Sequence, residues 1–258
     1  MKIFFGLPIR LLLILSLTAG IASLKSRGQS APETPFSVAG RFEPGPTPRS
    51  VRFFFSVQPA PRTTPLVKVL GETPHQDSIS LTPVFDRETA LYSVTFDVSG
   101  AHNEQRLQVE IPQNARQSDI HFVTVALREH ATSGPMSRSS VDGNFALYTA
   151  PEGLPAEAQL LIASLERPLD PFPSNVPPAD VLSVHSVAFV GAADWLPQDW
   201  KITVSVDSAI TTRPALLFLA SGGRDWININ GLFEPEHALV MAQFNGPGTY
   251  LLLSKVPQ

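Results

Sequence analysis

The sequence lacks cysteine altogether and carries few charged residues. None of its 258 residues is a cysteine, and Asp, Glu, Lys and Arg together make up 16%. The missing thiols exclude a disulfide framework, a cysteine nucleophile and a thiolate metal site. No run of basic residues occurs and the net charge is −4, so the chain lacks the electrostatic footprint of a nucleic-acid-binding protein. We therefore expect no nucleic-acid partner.

The short motifs that mark many catalytic and metal sites are also missing. The six histidines show no His-x-x-x-His spacing, and no Asp-x-Asp-x-Asp array offers a calcium site. A Gly-x-Ser-x-Gly nucleophile motif is absent too. We therefore expect a protein that is not an enzyme, with no catalytic residue, no metal and no cofactor. A hydrolase whose site is assembled from distant loops is a less favoured alternative.

The first residues have the anatomy of a secretory signal, and we predict a signal peptide over residues 1–22. Lys2 and Arg10 supply positive charge, Leu11–Leu17 is an apolar run, and Gly20-Ile21-Ala22 offers small residues for cleavage. An uncleaved anchor is the alternative, but the apolar run is shorter than the roughly 20 residues that span a bilayer. We expect a secreted, periplasmic or cell-envelope protein of bacterial origin, without a membrane span in the mature chain.

Short apolar runs separated by turn residues predict an all-β fold from Val51 onward. Residues 23–35 are rich in Pro and Ser and are interpreted as a spacer. In ALYSVTFDVSG, Tyr92, Val94 and Phe96 alternate with polar residues, as in an antiparallel sheet with one face in the core. The 25 prolines disfavour helices. We predict two consecutive Ig-like β-sandwich domains, residues 36–130 and 138–258.

Eight strands are predicted in the second block, and one of them is contested. LPAEAQLLIASLER has the composition of a helix, although Gln159–Leu165 fits a buried strand equally well. The predicted strands are Phe145–Thr149, Gln159–Leu165, Val184–Val190, Lys201–Val206, Ala215–Ala220, Trp226–Asn230, Ala238–Phe244 and Gly248–Ser254. In the last of them, Tyr250 and Leu252 face one way and Leu251 and Leu253 the other, which predicts a strand covered on both faces.

The second block resembles a known class of β-sandwich domain. Pro151, Gly153 and Pro155 open it, Leu216–Leu219 and Trp226 follow, and Gly248–Leu252 closes it with a Gly-Thr-Tyr-hydrophobic strand. The last 120 or so residues are in this respect similar to the ZU-type domains of ankyrins and netrin receptors, which also occur in secreted bacterial proteins. The resemblance implies an interaction or structural module and favours a strand at Gln159–Leu165. The autoproteolytic residues of some relatives are absent, so it implies no cleavage chemistry.

Two tryptophans are the candidate ligand-binding residues. Trp195 and Trp200 lie in ADWLPQDW, with Pro197 between them. Exposed indoles stack on sugar rings or on a protein partner, whereas buried ones fill the interior of a sandwich. We expect a non-catalytic structural or protein-binding module whose partner is another protein or an envelope component. A carbohydrate-binding module that uses Trp195 and Trp200 is the alternative, and the oligomeric state is left open.

Overall fold

The structure is a computed structural model, and the residues it describes lie between 35 and 255. They are 35–70, 78–98, 104–114, 117–128, 137–149, 154–155, 158–169, 172–173, 176–191 and 199–255. The predicted signal peptide and nearly all of the spacer lie outside them. Residues from Phe36 onward form one compact unit. In the described part of the chain, no helix is long and apolar enough to cross a membrane.

The described residues form β-strands and one 3-10 helix, so the predicted all-β class is confirmed. The strands are β1 (Ser37–Pro44), β2 (Ser50–Gln58), β3 (Leu66–Leu70), β4 (Ile79–Leu81), β5 (Val84–Asp86), β6 (Leu91–Asp97), β7 (Glu104–Asn114), β8 (Gln117–Arg128), β9 (Ser137–Ser139), β10 (Phe145–Tyr148), β11 (Gln159–Leu165), β12 (Arg167–Pro168), β13 (Val181–Val190), β14 (Lys201–Ser205), β15 (Ala215–Ala220), β16 (Ile227–Asn228), β17 (Leu232–Glu234), β18 (Leu239–Gln243) and β19 (Gly248–Leu253). The short helix, Pro178–Asp180, directly precedes β13.

The described strands form three sheets. The front sheet has the order β12-β1-β2-β6-β5, the back sheet β17-β18-β14-β10-β9, and the central sheet β16-β15-β19-β13-β11-β8-β7-β3-β4. Neighbouring strands are antiparallel except β1 and β12, which are parallel. The central sheet takes strands from both predicted blocks, because β8 pairs with β11 across the boundary predicted at residues 130–138. The two blocks are therefore joined by a continuous sheet.

The central sheet is buried on both faces where β11 and β13 run. Leu161 and Ala163 of β11 belong to the front core, which lies between the central and front sheets. Leu160 and Ile162 belong to the back core, which lies between the central and back sheets. A strand with cores on both sides needs apolar residues at every position. This is why Gln159–Leu165 lacks alternation and has a helix-like composition; its prediction as a strand is confirmed.

A ladder of aromatic rings fills the front core. Ring centroids lie 4.6 Å apart between Phe42 and Phe53, 5.2 Å between Phe53 and Phe55, and 5.3 Å between Phe55 and Tyr92. A Cβ at Gly40 would lie 2.5 Å from Cε2 of Phe53, so the ring needs a glycine on the neighbouring strand. Full burial of each phenylalanine contributes roughly 1.5–3 kcal/mol.

The closing strand β19 is covered on both faces, as predicted. Tyr250 and Leu252 lie in the back core. Leu251 and Leu253 lie in a third cluster, with Val176 from the proline-rich segment between β12 and β13. The first residue of β19 has to be glycine, because at Gly248 φ is 154° and a Cβ would lie too close to the carbonyl oxygen of Leu219.

Every sheet is bordered on both sides by a very short strand. The six edge strands, β4, β5, β9, β12, β16 and β17, have two or three residues each, whereas the inner strands have four to twelve. Short edge strands are one way in which natural proteins prevent edge-to-edge association. The edge of β1 is also closed by side chains: the N–H of Val38 donates to Glu166, and the N–H of Phe42 donates to Ser186.

Candidate protein-binding edge

The structure places one of the two candidate tryptophans and leaves the other outside the described residues. Trp200 directly precedes β14 and is fully buried in the back core. Its ring centroid lies 5.9 Å from those of Phe189 and Phe244. In this position the indole of Trp200 is not accessible to a ligand. It fills the interior of the fold instead. Trp195 lies in the range 192–198, which is not described.

A polar cluster, formed by Asp142, Ser164 and His185, links the central and back sheets. Ser164 and His185 are register partners on β11 and β13, and Asp142 lies in the loop between β9 and β10. Oγ of Ser164 lies 3.4 Å from Nδ1 of His185, and the hydroxyl also hydrogen-bonds Asp142. Because a carboxylate only accepts, Ser164 donates to Asp142 and accepts from the Nδ1–H of His185.

The surroundings of this cluster keep His185 neutral. The imidazole is 1% exposed and lies 4.9 Å from the ring of Phe145. Burial lowers the pKa of His185 to about 4, against the opposing attraction of Asp142. Burial alone would raise the pKa of Asp142, but hydrogen bonds from Ser140, Asn144 and Ser164 outweigh it and hold the pKa below its ordinary value.

The cluster contains the residue types of a hydrolase triad, but its geometry is different. In a Ser–His–Asp triad the imidazole lies between the hydroxyl and the carboxylate, whereas here the hydroxyl of Ser164 lies between them. The imidazole of His185 is also sealed inside the core, where no substrate can reach it. The arrangement therefore fits a link between two sheets and not a reaction centre.

The longest uncovered strand edge among the described residues belongs to β8. On one side, β8 pairs with β7 along most of its length. On the other side, β11 covers only Thr124–Arg128. After Leu165 the chain leaves the central sheet and continues as β12 in the front sheet. Seven residues, Gln117–Val123, consequently have no described strand beside them, and we call this stretch the β8 edge.

Backbone groups of the β8 edge point outward at alternate residues. The N–H of Ile120 donates to Oδ1 of its own neighbour Asp119 at 3.1 Å. Because backbone groups alternate in direction along a strand, the N–H groups of Ser118 and Phe122 point the same way as that of Ile120. The backbone groups of Thr124 point to this same side, where β11 already lies beside them. The β8 edge therefore presents hydrogen-bonding groups in register with those that bind β11.

Apolar side chains flank the β8 edge on the side of the back core. Ile120 is 47% exposed and Phe122 is 44% exposed. The guanidinium carbon of Arg106 lies 4.1 Å from the centroid of the Phe122 ring, in a cation–π contact. Leu66, also exposed, lies in the same cross-sheet row as Ile120, with Glu110 between them. We call Ile120, Phe122 and Leu66 the apolar flank. It lies beside the part of the β8 backbone that has no described neighbouring strand.

Carboxylates flank the same edge on the opposite side. Nδ1 of His121 lies 2.9 Å from Oε1 of Glu166, and Nε2 lies 3.6 Å from Oδ2 of Asp119. The imidazole is nearly buried, but the side chains of Asp119 and Glu166 remain 30% and 43% exposed. Each carboxylate faces an imidazole nitrogen directly. In the described part of the chain, no group of three such side chains is arranged to hold a metal ion.

Reasoning from the sequence missed this edge. The segment DIHFVTVALRE predicts β8 as a strand, which is confirmed. The sequence pattern carried one usable signal, since Ile120, Phe122 and Val123 place apolar residues on both faces of a strand that begins among polar residues. It could not show that β11 stops short, because that pairing joins distant segments of the chain.

Comparisons with known protein families, with characterised proteins and with solved structures gave no match for this chain. The likeness to ZU-type domains stays a prediction.

Proposed function

We propose that this chain is a non-catalytic, exported protein-binding module of the cell envelope, which receives an extended segment of another protein along the β8 edge. One observation carries the proposal. The β8 edge leaves seven residues without a described neighbouring strand, in a unit whose sheets otherwise end in strands of two or three residues. Natural proteins avoid long, exposed strand edges unless they are used.

The chemistry of the β8 edge matches strand addition. In this mode, main-chain hydrogen bonds supply affinity, and contacts with alternate side chains supply specificity. Ser118 and Phe122 offer outward N–H groups, and Ile120 and Phe122 offer exposed apolar surface. Aromatic residues and arginine are enriched at protein interfaces, and Arg106 stacked on Phe122 provides both.

Export and the envelope location rest on the sequence. Residues 1–22 read as a signal peptide, and a Pro- and Ser-rich spacer follows to residue 35. Absence of catalysis is supported by the polar cluster of Asp142, Ser164 and His185, whose imidazole is enclosed in the core. The sugar-binding alternative has no support among the described residues, since Trp200 is buried.

Site-specific photocrosslinking in the producing cells tests this proposal. A photoreactive phenylalanine analogue is placed at Ile120, and, as a matched control, at Lys201. Lys201 is also exposed, but its strand β14 is paired on both sides. We expect a discrete crosslinked protein from position 120 and none from position 201. The same adduct from both positions, or none from position 120, would contradict the proposal.

A further inference from the structure

The two flanks of the β8 edge differ in charge, and this difference limits what can bind. On one flank, Asp119 and Glu166 bring two carboxylates around a single imidazole. Arg167, which follows Glu166 in the chain, is directed toward Ser37 and Gln58, to which its Nη1 donates at 3.3 Å in each case. On the other flank lie Ile120 and Phe122. The cation of Arg106 stacks on Phe122, and Glu110, directly opposite Ile120, is paired with Lys68.

We infer that the segment bound at the β8 edge is an extended strand of a partner protein in which basic and apolar side chains alternate. This inference rests on the proposed function and specifies its ligand. Side chains of an added strand point alternately to the two faces of the sheet. One series of the partner's side chains therefore meets Asp119 and Glu166, and the other meets Ile120 and Phe122.

Charge complementarity determines which face of the added strand carries the basic side chains and which carries the apolar ones. Asp119 accepts from the N–H of Ile120 and Glu166 from the N–H of Val38, and both face His121. Because both carboxylates remain partly exposed, basic side chains of an added strand pair with them. A basic side chain on the opposite face would meet Arg106, and like charges in an interface are disfavoured. The arrangement thus selects one face of the incoming strand for basic residues and rejects the reverse.

Other strand chemistries fit less well. An acidic–apolar strand would set its carboxylates against Asp119 and Glu166. A wholly apolar strand would cover these two charges without pairing them, which costs free energy. Glu110 lies directly opposite Ile120 on β7, but its carboxylate is 3.2 Å from the ammonium of Lys68, so the pair adds no net charge to the apolar flank.

The test uses three blocked nine-residue peptides and the mature protein. One peptide alternates Lys and Val, the second alternates Glu and Val, and the third is the Lys–Val peptide with alternate backbone nitrogens methylated. Binding is followed by amide chemical shifts of the protein, and affinities are measured by calorimetry. We expect the Lys–Val peptide to shift the amides of Gln117–Val123 and to bind at least about tenfold more tightly than the Glu–Val peptide, since exposed ion pairs each add a modest gain.

Two further measurements separate strand addition from simple charge attraction. The methylated peptide keeps its charge but cannot complete the ladder, so we expect its binding to be lost. In a D119N/E166Q variant we expect the preference for Lys over Glu to shrink to within about threefold, while the affinity for the Glu–Val peptide does not fall. The substituted carboxylates lie at the surface, so the variant should fold.

The outcomes distinguish the inference from the proposed function. Equal or tighter binding of the Glu–Val peptide, equal binding of the methylated peptide, or no binding of any peptide overturns the inference. A crosslinked partner at position 120 would still support the proposed function in each of these cases. Loss of that crosslink, with Lys–Val binding intact at Gln117–Val123, would show an edge with the inferred chemistry but without a partner in these cells.

Discussion

The backbone N–H of Phe42 donates to Oγ of Ser186 at 3.1 Å, which ties the front sheet to the central sheet across 144 positions of sequence. Both residues are buried. The bond closes an otherwise unpaired part of the β1 edge, where β12 covers only Ala39 and Gly40. β1 thus has side-chain partners where a neighbouring strand is missing. At the β8 edge Ile120 has such a partner in Asp119, and no described strand lies beside Ser118 and Phe122.

Removal of this hydroxyl should destabilise the protein. In Ser186→Ala the N–H of Phe42 stays buried without an acceptor, and we expect a loss of about 1–3 kcal/mol in the free energy of unfolding. Urea unfolding followed by circular dichroism measures the change. Ser93→Ala, on the outer side of the front sheet, is the control and should change stability by less than about 0.5 kcal/mol. Equal effects of both substitutions would contradict the closing role of Ser186.

Consecutive leucines of β11 should both prove to be core residues. Leu160 lies in the back core and Leu161 in the front core, each fully buried. We expect Leu160→Ala and Leu161→Ala each to cost about 2–5 kcal/mol. The exposed Leu182 on β13 serves as the control, and its replacement by alanine should cost far less. If only one of the two β11 variants were destabilised, the strand would have a single buried face, and the three-layer arrangement would be wrong.

His185 should make stability fall in mild acid. In the folded protein its pKa is about 4, whereas an exposed histidine titrates near 6.5. The unfolded chain therefore takes up the proton first, and stability is full above pH 6.5 and is lost progressively down to pH 4. The lowered pKa corresponds to roughly 3 kcal/mol. Asp142 acts in the same direction but at lower pH, below its ordinary value of 3.8.

Chemical denaturation across this pH range measures the effect. His185→Leu should flatten the pH dependence of stability between pH 6.5 and 4 by about 3 kcal/mol relative to the wild type. Leu182→Ala, which removes no titratable group from an exposed position, is the control and should leave the slope unchanged. A slope that persists in His185→Leu would show that another group is responsible for the acid sensitivity.

Local pattern predicted the strands better than it predicted their assembly. The alternation of β6 and the doubly covered β19 follow from the spacing of apolar residues, and the structure confirms both. β1 was missed because Gly40 and Pro44 make its sequence look like a continuation of the spacer. The need for Gly40 appears only when the ring of Phe53 is placed beside it.

Contacts between distant segments explain what sequence reasoning left out. The run Asp142-Gly143-Asn144 is typical of a turn, and Asp142 does accept the N–H of Asn144 at 3.1 Å. Its second contact, with Ser164 on β11, depends on how the back sheet packs on the central sheet. The β8 edge likewise exists because β11 departs at Leu165, which the sequence of β8 does not encode.

Substitutions at the apolar flank should separate binding from stability. Ile120 is exposed, so Ile120→Thr should change the free energy of unfolding by less than about 0.5 kcal/mol. The same substitution removes apolar contact with an added strand, and we expect weaker binding of the Lys–Val peptide by calorimetry. Leu232→Thr, at a similarly exposed position on β17, is the control and should leave peptide binding unchanged. Identical peptide binding by the wild type, Ile120→Thr and Leu232→Thr would show that the apolar flank does not contribute to binding.

Amide hydrogen exchange of the isolated protein tests the central claim most directly. Ala126 faces Ile162 of β11, whereas Phe122 lies in the same series on β8 with no described strand opposite it. We predict fast exchange at Ser118 and Phe122 and slow exchange at Ala126, with the fast amides becoming protected when the Lys–Val peptide binds. Slow exchange at Phe122, equal to that at Ala126 before any peptide is added, would show that the β8 edge is already covered and would contradict the account.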